Sequence, residues 1–184
     1  WGCGILLTNS AIYNDIGLAL TGGCNIIADN WNHGIFAGEN CTGNEIRGNF
    51  IACDQYGSSL RQNRGDGIVV QGNDGGWIGG LSPVLGNVIN AGTALRCSSV
   101  SNAYAYNNAI GFNPYSSIPF FARMDYGIVL TGCHRMTFGQ FNATNTVSCA
   151  DSAAVWAQDC TGIVFSAMRV GLWDYYVGGT NDGD

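Results

Sequence analysis

Apolar residues are spread along this chain in short bursts separated by polar turns. The bursts share one phrase: a small residue, two or three apolar residues, a polar turn, then a second short apolar run. The clearest copies are Gly17-Leu18-Ala19-Leu20-Thr21-Gly22-Gly23-Cys24 and Gly34-Ile35-Phe36-Ala37-Gly38-Glu39-Asn40-Cys41. Two more are Gly67-Ile68-Val69-Val70-Gln71-Gly72-Asn73 and Gly127-Ile128-Val129-Leu130-Thr131-Gly132-Cys133, and Ala154-Val155-Trp156-Ala157-Gln158-Asp159-Cys160 is a degenerate copy. Alternation along such a run puts Ile68 and Val70, or Ile128 and Leu130, on one face of a strand. Second and third short strands follow several copies: Asn44-Glu45-Ile46-Arg47-Gly48 then Asn49-Phe50-Ile51-Ala52-Cys53, and Gly76-Trp77-Ile78-Gly79-Gly80 then Gly86-Asn87-Val88-Ile89-Asn90.

Three short strands per repeat describe one coil of a three-sided solenoid, in which like strands of successive coils pair about 4.8 Å apart. One coil cannot bury its own apolar face, and stacking supplies the continuous core. Glycine and asparagine are the residues suited to the positive-φ corners between sides. Counted from Gly17, the copies are separated by 17, 33, 60 and 27 residues. The 17 and 27 read as single coils, and the 60 as more than one coil with excursions. The excursions are expected over about residues 55–66 and 111–126, the second of which holds Pro114 and Pro119. A β-sandwich also has many short strands, but it would join longer alternating strands by hairpin dipeptides and would not repeat one phrase with Cys in register. The expected fold is therefore all-β, a right-handed single-stranded parallel β-helix forming one domain over residues 1–184. Patterned sequence reaches both ends, so the chain is expected to be a processed piece of something longer.

Composition narrows the function classes. The chain is 46 % hydrophobic and only 11 % charged, too apolar for a disordered segment. No apolar run approaches the roughly 18 residues of a membrane span. All seven basic residues are arginines, scattered at 47, 61, 64, 96, 123, 135 and 169, and the net charge is −6. Nucleic acid, which needs clustered positive charge, is not an expected partner. Eight dispersed cysteines with no C-x-x-C point to an oxidising, extracellular or surface-exposed location, in agreement with sequons at Asn40-Cys41-Thr42 and Asn142-Ala143-Thr144.

The run from Gly67 through Trp77-Ile78-Gly79-Gly80 to Gly86-Asn87-Val88-Ile89-Asn90 resembles the parallel β-helix repeats of extracellular and phage proteins. These include polysaccharide lyases, glycoside hydrolases, phage tailspikes, bacterial adhesins and large surface proteins. The resemblance covers most of residues 4–178 and speaks for the fold, because this fold hosts many activities.

Cys24, Cys41, Cys133 and Cys160 each follow the first strand of a copy. Equivalent positions on adjacent coils fall inside the roughly 4.4–6.8 Å Cα window of a disulfide, so Cys24–Cys41 and Cys133–Cys160 are candidate bridges, with stacked buried thiols as the alternative. Cys53 and Cys149 sit in third-strand positions, and Cys3 and Cys97 have no assigned place.

Nucleophile-elbow, zincin, Walker and EF-hand motifs are all missing, so no catalytic residue, metal or cofactor is assigned. A glycoside hydrolase needs two carboxylates at a set separation, and the candidates are Asp54, Asp66, Asp74, Asp125, Asp151 and Asp159. Asp66 and Asp125 precede first strands and are expected on one edge of the solenoid, although aspartate before glycine is also an ordinary turn residue. Arg135 with Asp125 or Asp159 is the conceivable lyase pair, and His33 and His134 read as solvated or capping residues. Trp156, Trp173, Tyr175 and Tyr176 are the glycan-contact candidates, since rigid aromatic faces stack on sugar rings; packing under loops or against a neighbouring subunit is the competing role, and it applies also to Tyr104, Tyr106 and Tyr115. The expected function is a structural or adhesive segment of an extracellular filament, spike or surface protein, in contact with other copies or neighbouring segments and with polysaccharide. The alternative is a carbohydrate-active β-helix enzyme.

Overall fold

The computed structural model describes residues 2–18, 22–54, 59–112, 124–148 and 150–171. Over these residues the chain is a three-sided right-handed parallel β-helix of six coils, each giving one strand to each of three parallel six-stranded sheets. Strands are numbered in chain order. The first sheet holds β1 (Ile5–Leu7), β4 (Ile35–Ala37), β7 (Ile68–Gln71), β10 (Thr93–Ser98), β13 (Met124–Thr131) and β16 (Ala150–Gln158). The second holds β2 (Asp15–Ile16), β5 (Glu45–Ile46), β8 (Trp77–Gly79), β11 (Tyr104–Tyr106), β14 (Thr137–Phe138) and β17 (Val164–Phe165). The third holds β3 (Ile26–Ile27), β6 (Phe50–Ile51), β9 (Val88–Ile89), β12 (Ala109–Ile110), β15 (Asn145–Val147) and β18 (Met168–Val170).

The core is built of columns. Ile5, Ile35, Ile68, Leu95, Ile128 and Val155 stack from coil to coil in the first sheet, and Leu7, Ala37, Val70, Cys97, Leu130 and Ala157 form a second column beside them. The second sheet contributes Ile16, Ile46, Ile78, Ala105, Phe138 and Phe165. The third contributes Ile27, Ile51, Ile89, Ile110, Val147 and Val170. Ile35, Ile51, Ile68, Ile89 and Phe138 are fully buried, each stabilising the fold by about 1.5–3 kcal/mol relative to exposure. Parallel neighbours need a crossover, and here the other two sides of the coil provide it.

The registers divide the expected repeats differently. Gly34, Gly67, Gly127 and Ala154 occupy one column, each immediately before the first inward residue, joined by Gly4 and Ala94. Gly17 is not in it. It follows β2 and stacks above Arg47 at the end of the second side, where φ is +76° and an added Cβ would lie 2.2 Å from the Arg47 carbonyl. The 17-residue coil therefore does not exist. The coils span 30, 33, 27, 33 and 27 residues, and the 60-residue gap is two coils with Ala94-Leu95-Arg96-Cys97 as the copy between them. The described residues at the edges of the expected excursions join the regular coils. The Arg61 N–H already bonds back to Ala52, and the segment Asn63–Asp66 runs beside Asn30–His33 as an ordinary corner. Residues 124–126 belong to β13, with residues 55–58 and 113–123 outside the described ones.

Two devices turn the chain at its corners. After the first side, Asn40, Gly72, Ser99, Gly132 and Asp159 align in a column and all carry positive φ. Between the second and third sides, asparagine is used in another way. Asn25, Asn49, Asn87, Asn108 and Asn145 form a side-chain ladder in which each Nδ2 donates to the Oδ1 on the next coil at 2.9–3.0 Å. The Nδ2 groups of Asn49, Asn87, Asn108 and Asn145 also donate to the carbonyls of Ile16, Ile46, Ile78 and Ala105, so these buried amides satisfy the corner backbone.

Candidate functional site: a polar groove at the edge of the first sheet

The corner that enters the first sheet is polar in three successive coils. It brings Asn63, Arg64 and Asp66 beside Thr93 and Asp125, and together they line a groove of about 350 Å³. Gly65 makes the close stacking possible: an added Cβ there would lie 2.7 Å from His33 Nδ1. That nitrogen accepts the Asp66 N–H at 2.9 Å. The Asp66 carboxylate accepts from Arg96 Nε at 2.6 Å, and Arg96 also reaches Thr93 Oγ1 at 3.3 Å. Arg96 belongs to the outward column of the first sheet, between Val69 and Val129. The Arg64 guanidinium lies 3.5 Å above the centre of the Trp31 ring on the coil below, within cation–π range, and that ring is 55 % exposed. Asp125, exposed, is held by its N–H to the Gly92 carbonyl at 2.7 Å.

The groove therefore combines one ion-paired carboxylate, one exposed carboxylate, an arginine free to face solvent at the rim and an aromatic face beside it. Such a surface suits a hydroxyl-rich ligand: carboxylates and arginines exchange hydrogen bonds with hydroxyls, and the indole covers an apolar ring face.

Of the carboxylates singled out in the sequence, only Asp66 and Asp125 line this groove. Asp74 accepts a hydrogen bond from Asn102 at the opposite edge of the first sheet, Asp151 is exposed in β16, and Asp54 lies at the turn after β6. Asp159 and Arg135 also lie at that opposite edge, where both adopt positive φ; Arg135 forms no ion pair with Asp125 or Asp159 among the described residues. His134 contacts Thr161 Oγ1 through Nδ1 at 2.6 Å on that edge, and His33 serves the groove as a backbone acceptor. Trp156 stands in the outward column of the first sheet, in register with Val129 and 40 % exposed, on the same face as Arg96. Trp173, Tyr175, Tyr176 and Tyr115 lie outside the described residues. On the second sheet Trp77 and Tyr104 stack at 4.9 Å between ring centres and help to bury Tyr106, whose phenol burial pushes upward in pKa. Asn40 and Asn142 are both exposed at corners.

The seven described cysteines are free thiols. Cys133 and Cys160 stack on adjacent coils, the Cys133 N–H lying 3.4 Å from Cys160 Sγ. Cys24 and Cys41 are not brought together. Cys41 packs in the solenoid core, whereas Cys24 packs on the outside of the third sheet against the cluster of Phe50, Cys53, Val88 and Ala109. Burial pushes the Cys53 thiol up to about 12 and lifts Cys97 and Cys133 as well. Among the described residues no cluster of three or more His, Cys, Asp or Glu is arranged to hold a metal ion, and no helix is long and apolar enough to cross a membrane.

Trp31, Arg64 and Arg96 were not visible as site residues in the sequence. Arg96 sits in the copy hidden within the 60-residue gap; dividing that gap in two would have placed it outward beside Asp66. The fold and this groove define a parallel β-solenoid with a polar surface site at one sheet edge. Comparisons with protein-family models, with curated proteins and with solved structures find no match.

Proposed function

We propose that this chain is a structural or adhesive segment of an extracellular filament, spike or surface protein, and that it holds polysaccharide in the polar groove at the entry edge of its first sheet. The observation that carries this reading is the meeting of Arg64, Asp66 and Asp125 in one groove beside the exposed Trp31 ring. Sequons exposed at corners fit an extracellular setting. The test is affinity electrophoresis of the full chain through gels holding neutral, uronate-containing or sulfated polysaccharides. At least one class is expected to retard it, with Trp31→Ala and Arg64→Ala each weakening retention about tenfold. Equal mobility of wild type in every gel would contradict the reading.

A second reading, hydrolysis of the bound glycan, is favoured by one specific feature: two carboxylates in unlike surroundings share the groove, Asp66 paired to Arg96 and Asp125 open to solvent. Release of reducing ends that stops in Asp125→Asn and Asp66→Asn, while retention in the gel persists, would establish it in place of a purely adhesive role.

A further inference from the structure

Cys133 and Cys160 each follow a left-handed corner residue, Gly132 and Asp159, on neighbouring coils. The register holds through them: the Gly132 N–H bonds the Gln158 carbonyl, the Thr161 N–H bonds the Cys133 carbonyl at 2.9 Å, and His134 pairs with Thr161 immediately afterwards. Residues so aligned in a parallel pair lie about 4.8 Å apart, inside the Cα window of a disulfide. The two sulfurs share one small region. Cys160 Sγ faces the Cys133 N–H at 3.4 Å, and Cys133 Sγ faces the Cys97 carbonyl at the same distance. Access differs among the three thiols. Cys160 is half-buried on the sixth coil, while Cys133 and Cys97 are buried.

From this arrangement we propose that Cys133 and Cys160 form a redox clip that fastens the sixth coil to the fifth, closed by a small disulfide oxidant such as oxidised glutathione. The accessible Cys160 thiolate attacks the glutathione disulfide, forms a mixed disulfide and releases one glutathione. The Cys133 sulfur then attacks the Cys160 sulfur, and its proton passes to the departing thiolate, which leaves as the second glutathione. Two protein thiols are oxidised, one glutathione disulfide is reduced to two glutathione molecules, and the Cys133–Cys160 bond is formed. Cys97 lies in the inward column of the first sheet, out of register with the pair and cut off from the oxidant, so it stays reduced. The clip is independent of any ligand in the groove.

The chain contains no lysine, so cleavage after arginine separates the relevant thiols into peptides 97–123, 124–135 and 136–169. Native full-length protein is treated with oxidised glutathione, the remaining thiols are alkylated under denaturing conditions, and the digest is mapped by mass spectrometry. The expected product is peptide 124–135 joined to 136–169, lighter than the pair by two hydrogens, with fragment ions locating the link at Cys160. It should vanish in Cys160→Ser and persist in Cys149→Ser. A wild-type digest with Cys133 fully alkylated, or joined to Cys97 or Cys149, would overturn the proposal.

Discussion

At the residue scale, the asparagines divide into two populations that the sequence presents alike. Asn40 and Asn142 take the positive-φ corner role that the residue type suggests. Asn49, Asn87, Asn108 and Asn145 instead bury their amides and link coil to coil, each preceding the first residue of a third-side strand or opening that strand. That placement was legible in Asn49-Phe50-Ile51 and Asn87-Val88-Ile89, but the bonding was not, because it depends on the neighbouring coil. Asn87→Ala would strip partners from the Ile46 carbonyl and from the Asn49 backbone and side-chain N–H groups, and should cost about 3 kcal/mol in chemical denaturation, since each buried group left unpaired costs roughly 1–3 kcal/mol. Asn90 is the control. It is equally buried, but beyond a contact with the Cys53 thiol its amide finds no partner among the described residues, so Asn90→Leu should cost far less than Asn87→Ala, leaving the denaturation midpoint near its wild-type value. Cys53 adds a pH dependence. Its folded thiol is pushed up to about 12 by burial, so above the ordinary thiol range of about 8.5 the unfolded chain sheds a proton that the folded chain retains. Stability should be flat in this respect below that range and fall as the pH climbs beyond it. Unfolding at a series of alkaline pH values should show the decline, made shallower by Cys53→Ala and not abolished, because Cys97 and Cys133 act in the same direction.

At the element scale, the individual strands are too short to hold together alone, several having only two residues, and the columns decide which short apolar runs become strands. This explains both misreadings of the repeat. Gly17-Leu18 matches the local phrase, but no register partner lies beneath it in the first sheet, and Leu18 is 60 % exposed. Ala94-Leu95-Arg96-Cys97 departs from the phrase by an alanine and an outward arginine, yet Leu95 and Cys97 fill the inward columns, and the coil forms. Inward position on a covered coil matters more than the glycine that announces it. The same logic ranks two stacked rings. Phe138 is fully buried and Phe165, 5.3 Å from it between centres, is 44 % exposed on the sixth coil. Phe138→Ala should cost about 3–5 kcal/mol, and Phe165→Ala clearly less. Amide hydrogen exchange should correspondingly open β16–β18 before β7–β12, because the residues of β16–β18 are largely exposed or half-buried while those of β7–β12 are mostly buried.

At the scale of the whole molecule, stacking creates a site that no single coil contains. The groove draws Arg64 and Asp66 from one coil, Thr93 from the next and Asp125 from the one after, while the ion pairs of Arg61 with Asp29, Arg96 with Asp66, and Arg47 with Asp15 and Glu45 tie neighbouring segments across the surface. The sequence placed Asp66 and Asp125 before first strands, and so on one edge. Their shared groove became visible only when the intervening coil was counted. All of this depends on the vertical alignment of the first sheet, which methyl-resolved nuclear Overhauser spectroscopy on the unmodified chain reads directly. The account predicts a sequential chain of contacts from Ile35 to Ile68, Ile68 to Leu95 and Leu95 to Ile128, with no direct contact between Ile35 and Ile128. Direct contact between Ile35 and Ile128, or no contact of Leu95 with either Ile68 or Ile128, would contradict it.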